Sequence, residues 1–159
     1  MNEEKMIAIL NSLIEICNDR MEGYENAAAE IHDLRYAHLK AFFYTMGEEC
    51  RNHKDDLVDL VIAFGGEPGE GPTPSGVLFD IWLDVKAAFC RKDVNVALDA
   101  CERGELVALE AYQEVLHPQG LWPSDVAALL YKQREEIKIS HDRIKSLSDE
   151  YKTVKRVEL

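Results

Sequence analysis

Apolar residues recur at steps of three and four along nearly the whole chain, the spacing that lines one face of an α-helix. In the first segment Met6, Leu10, Leu13, Cys17, Met21, Tyr24, Ala28 and Ile31 form such a stripe. A second runs through Leu39, Phe43, Met46, Cys50, His53, Leu57, Leu60 and Phe64, alternating four and three with a histidine inside it. Asp33 is placed to cap the start of this helix, and Gly65-Gly66 to end it. Residues 65–76, GGEPGEGPTPSG, carry five glycines and three prolines, so neither helix nor strand runs through them. A third helix is predicted to begin near Thr73-Pro74 or Ser75, with Leu78, Ile81, Trp82, Val85 and Phe89 on its apolar face. The stretch RKDVN at 91–95 predicts a break, with Asp93 as a new cap. The helix then resumes through Val94, Ala97, Cys101, Gly104, Ala108, Ala111 and Val115, and His117-Pro118-Gln119-Gly120 stops it. A fourth begins near Pro123-Ser124 and buries Val126, Leu130, Gln133, Ile137, Ser140, Ile144, Leu147 and Tyr151. The tail, 152–159, is expected to fray.

No helix can bury its stripe alone. The expected fold is therefore all-α, a four-helix bundle in one domain spanning 1–159, with the third helix broken near Asp93. Two hairpins are joined by the 65–76 linker. Twelve extended residues reach at most ~40 Å, about the length of a ~27-residue helix, so the linker could be an adjacent turn or a crossover.

Composition narrows the partners. The chain has 159 residues, 47% of them hydrophobic and 30% charged, enough for a core of its own. Thirty acidic residues against eighteen basic ones leave a net charge of -12. Nucleic acid and anionic membranes demand clustered Lys and Arg, so neither is expected as a partner. A homo-oligomer or a protein partner stays open. The start, MNEEKMIAIL, is acidic where a secretory leader is basic. The longest apolar run, LVDLVIAF, is cut by Asp59. A cytoplasmic location is the resulting expectation.

Cys17, Cys50, Cys90 and Cys101 include no C-x-x-C pair. Three of them fall on the apolar stripes, which predicts core packing rather than metal or redox use. Tyr24 and Tyr112 are expected on the seams with partnered hydroxyls, and Trp82 and Trp122 as core and loop anchors.

Four strings resemble a bacterial family of ferritin-like four-helix-bundle proteins catalogued as a domain of unknown function. They are NSLIEICNDRMEGYENAAAEI at 11–31, FGGEPG at 64–69, ACERGELVALEAYQEVL at 100–116 and EIKISHDRIKSL at 136–147. The similarity covers roughly residues 5–150. It implies a ferritin-like bundle and carries over no established activity.

Bundle proteins with a pair of metal ions draw one Glu from each of two helices and a Glu-x-x-His from each of the other two, all pointing inward. The single Glu-x-x-His here, Glu114 to His117, sits at a helix end beside Pro118. Glu49 and His53, four apart, share a face and offer a half-site. His141 lacks a carboxylate one turn back. Glu102 or Glu105 could meet it across the last hairpin, and His53 could join if the hairpins align. Glu49, His53, Glu102, Glu105 and His141 are thus the metal candidates, for iron or manganese, and the set falls short of a di-iron centre. No nucleophile elbow, P-loop or dinucleotide fingerprint is present. A Cys50–His53 dyad would be shielded in the seam. No catalytic residue is assigned. The sequence alone favours a non-enzymatic, stress-associated module acting by interaction or self-association, with a degenerate metal, redox or storage site as the alternative.

Overall fold

A computed structural model describes residues 1–117 and 119–158, with side chains through Val154. Among the described residues the regular elements are helical. They are α1 (Glu3–Ala29), a 3-10 turn (Leu34–Tyr36), α2 (Ala37–Ala63), α3 (Val77–Cys90), α4 (Val94–Leu116) and α5 (Ser124–Glu158). None is long and apolar enough to cross a membrane.

Local chemistry sets the boundaries. The Asn2 side chain accepts from Lys5 N and caps α1. Asp33 does not cap α2, as the sequence suggested. It accepts from Arg35 N and caps the 3-10 turn, and α2 begins at Ala37 without a side-chain cap. At the other end of α2, Gly65 adopts φ +83°, its N–H bonds Ile62 O, and Gly66 N–H bonds Val61 O. These are the paired bonds of a glycine-closed helix C-terminus. The start of α3 falls later than the sequence implied, at Val77 after a left-handed Gly76.

Residues 91–93 do more than break a third helix. They reverse the chain, so α3 and α4 form an antiparallel hairpin. Trp82 and Ile81 lie beside Gly104, and Arg103 reaches Asp84 at 4.0 Å. Spacing cannot distinguish a kink from a reversal, because both leave the same stripe on either side. Asp93 caps α4 through Val96 N. Pro118, expected at the end of that helix, lies outside the described residues, as does Leu159. The tail expected to fray is helical to Glu158.

The linker runs back along α1. Asn11 accepts from Gly69 N and donates to Glu67 O, Asn18 donates to Gly71 O, and Asp19 accepts from Thr73 N and Oγ1. Then α3 continues in the same direction beside α1, with Trp82 against Gly23 and Cys90 against Glu30. The linker and α3 together are therefore a crossover, which leaves α2 and α4 pointing the same way. Both run against α1 and α5. Tyr24 meets Phe43, Arg20 meets Glu105, Tyr112 meets Gln133, and His38 meets Tyr151. The bundle proper is α1, α2, α4 and α5.

Its core holds the predicted stripes, including Leu10, Leu13, Phe43, Leu57, Ala108, Leu130 and Ile144. Cys17, Cys50 and Cys101 are buried and Cys90 is exposed. Burying a Leu, Ile or Phe side chain contributes about 1.5–3 kcal/mol. The interior is not wholly apolar, however. Asp19, Arg20, His53, Glu105, Gln133, Ser140 and Ser148 are also buried.

Candidate metal centre

Most of these polar residues gather in one layer across the middle of the bundle. Each arrives there by helical spacing. Arg20 stands three residues after Cys17 and four before Tyr24, inside the apolar stripe of α1. Glu105 is four after Cys101 and three before Ala108 on α4. Glu136 is three after Gln133 on α5.

The layer has two halves. In the first, both Glu105 oxygens are held by Arg20, Nε to Oε1 at 3.0 Å and Nη2 to Oε2 at 2.8 Å. Tyr24 donates its hydroxyl to Oε1 at 2.6 Å. The ion pair has no solvent-exposed side-chain surface. Burial pushes the Tyr24 hydroxyl well above the usual tyrosine range, so it stays a donor.

In the second half, His53 Nε2 lies 2.7 Å from Glu136 Oε2 and 3.8 Å from Glu49 Oε1. His53 is 3% exposed and its Nδ1 is buried without a hydrogen-bond partner. Gln133 donates to the His53 carbonyl while accepting from Tyr112, which fixes α2 against α4 and α5. Burial lowers the His53 pKa, with the Glu136 hydrogen bond opposing it. The ring is therefore neutral near pH 7, with Nε2–H donating to the carboxylate. Glu49 is raised by burial first and then, after an opposing contribution from Arg20, by the negative charge of Glu136. Exposed Lys132 reaches Glu136 Oε1 at only 4.0 Å.

One ligand atom each from Glu49, His53 and Glu136 fits within a 4.8 Å group. Two oxygens and an imidazole nitrogen are donor types that first-row divalent ions take. Glu49 and Glu136 keep 27% and 35% side-chain exposure, which opens the group to solvent on one side.

The other sequence candidates separate. His141 Nε2 is 3.4 Å from Glu102 Oε1, as the last hairpin suggested. Its Nδ1 faces Asp142 at 3.2 Å, so the two carboxylates sit on opposite ring atoms rather than around one point. Glu105 does not approach His141, because Arg20 holds both its oxygens. Glu114 and His117 stay at the end of α4, in a cleft with Met1 and Lys5. The sequence missed Glu136. Its signal was faint: it sits one residue before the seam position Ile137, where an acid reads as a solvated flank.

Fold and site define an all-helical bundle with a polar layer across its middle. Residues 5–118 match the family described as a domain of unknown function, DUF2383, and the chain belongs to that family. No curated protein matches the chain.

Proposed function

We propose that this chain is a metal-binding bundle of the ferritin-like type, holding one divalent iron or manganese ion between α2 and α5. The observation that carries the reading is the convergence of Glu49, His53 and Glu136. Without Glu136 the sequence favoured an interaction module. With it, the half-site becomes a three-donor site. Charge supports the same reading. Glu49, Glu105 and Glu136 lie in the layer with Arg20 as its one buried cation and exposed Lys132 at the edge, so carboxylates outnumber the buried positive charge and a divalent ion would offset the excess. To offer Nε2 as a ligand, the neutral His53 ring would carry its one proton on Nδ1, and Glu136 would turn from accepting the Nε2 proton to sharing the ion. The ferritin-like assignment draws support from the crossover, since one long connection between two antiparallel hairpins is the arrangement of that class.

When bound, the ion would supply Lewis-acid or one-electron chemistry. The chain supplies three donors and open positions toward solvent. The test is equilibrium dialysis of the purified full chain against Mn²⁺, with anaerobic Fe²⁺ in parallel. One ion per chain is expected. His53→Ala should abolish binding, whereas His141→Ala should leave it within about twofold, since a change of tenfold corresponds to ~1.4 kcal/mol. Absence of binding, or binding that survives His53→Ala, overturns the proposal.

A further inference from the structure

The layer that carries Glu49, His53 and Glu136 also carries Arg20 and Glu105, and this half has a function of its own. In bundle cores that hold two ions, each of the four helices sends in a carboxylate. Here α2, α4 and α5 do so, with Glu49, Glu105 and Glu136, while α1 sends in a guanidinium. We infer that Arg20 is a built-in second cation: it fills the charge position of a second metal ion and restricts the site to one. This rests on the metal-binding reading above.

Three observations carry it. First, Arg20 takes both oxygens of Glu105 in parallel bonds and Tyr24 takes Oε1 again, so the carboxylate is committed to the guanidinium. Second, the pair is fully buried, yet Arg20 Nη1 has no hydrogen-bond partner. Stability does not explain such a pair, since apolar side chains of the same volume commonly do as well or better. A charge requirement does explain it. Third, α1 and α2 pack antiparallel with Met21 and Glu25 against Gly47 and with Arg51 paired to Glu25, so Arg20 stands level with the stretch of α2 that carries Glu49 and leads to His53. With Arg20 present, one divalent ion is enough to offset the excess carboxylate charge of the layer. A second would leave it strongly positive in a buried setting, which is costly.

Two substitutions separate this role from simple packing. Arg20→Gln removes the cation and leaves Glu105 uncompensated, so binding of one Mn²⁺ should tighten by about tenfold or more. Arg20→Glu completes a four-carboxylate set, and the full chain should then bind two Mn²⁺ per molecule. The paired ions should give an exchange-coupled paramagnetic resonance signal, and the melting temperature of this variant should rise on adding Mn²⁺. Equilibrium dialysis of both variants beside the unaltered chain reads the stoichiometry. If the unaltered chain binds one ion, then a folded Arg20→Glu chain holding a single ion, or Arg20→Gln affinity unchanged, overturns this inference and spares the metal reading. Should Arg20→Glu not fold even with Mn²⁺, the Arg20→Gln affinity decides alone. An unaltered chain that binds none overturns both.

Discussion

Arg20 on α1 and Glu105 on α4 meet in a two-pronged ion pair, 3.0 and 2.8 Å long, with no side-chain surface exposed. Burial works against the guanidinium charge, and Glu105 opposes that effect. Removing one partner strands the other. Glu105→Met should therefore cost roughly 3–5 kcal/mol, and also deprives Tyr24 of its acceptor. The double variant Arg20→Met/Glu105→Met removes both charges, and should recover most of that loss or exceed the original stability. Urea unfolding followed by circular dichroism measures both. A single variant costing less than about 1 kcal/mol, the range of exposed pairs, would contradict the buried geometry.

The crossover helix is locked by a close approach. A Cβ added at Gly23 would fall 2.2 Å from Trp82 Cδ2, whereas at Gly104 the nearest atoms are at 3.4 Å. Gly23→Ala should push the indole out of its slot and destabilise the protein by about 1–3 kcal/mol, outweighing its gain in helix propensity. Gly104→Ala meets ordinary contacts and should keep the propensity gain, up to ~1 kcal/mol, making it neutral or mildly stabilising. Thermal unfolding ranks the two, and tryptophan fluorescence should redden only in the Gly23 variant. Equal effects would mean that α3 is not seated on α1 in this way.

Much of this architecture is legible in the sequence. The stripes through Leu13, Phe43 and Leu130 announce helices, and Gly65-Gly66 announces a stop, because both signals are local. The path of the linker is not local. Asn11, Asn18 and Asp19 hold it from the polar flank of α1, where such residues ordinarily face water. Arg20 and Glu105 were legible in principle: each stands at a stripe position three or four residues from apolar neighbours. Their pairing needs the antiparallel register of α1 and α4, which only the crossover establishes. Glu136 reaches His53 for the same non-local reason.

Lys92 closes α3 at a position that suits glycine. It has φ +61°, its N–H bonds Phe89 O, and Asp93 N–H bonds Ala88 O. The turn is the same kind that Gly65 makes after α2. A left-handed lysine costs about 1–2 kcal/mol, and glycine returns part of that through its larger unfolded-state entropy. Lys92→Gly should therefore stabilise the protein by about 0.5–1 kcal/mol, with the helix content unchanged. Chemical denaturation tests it. A loss of stability would show that the lysine side chain makes a contact worth more than the strain.

The four thiols should divide three to one in reactivity. Cys17, Cys50 and Cys101 lie in the core and Cys90 on the surface of α3. Burial pushes the Cys17 thiol up to about 11, and raises Cys50 and Cys101 well above their ordinary range. Cys90 is raised for another reason: its Sγ–H donates to Glu30 Oε2 at 3.2 Å, which favours the thiol over the thiolate. The thiolate is the reactive form, so at pH 8 even this exposed cysteine should label more slowly than a free thiol. Its rate should keep climbing as the pH passes the ordinary thiol pKa. Glu30→Gln removes the anion that disfavours the thiolate and should speed labelling several-fold at pH 8. Cys90→Ser should abolish the native signal. Unfolding in urea should expose three further thiols. Mass spectrometry after a timed aromatic-disulfide reaction counts them, and rapid labelling of a second cysteine in the native protein would contradict the burial of the core thiols.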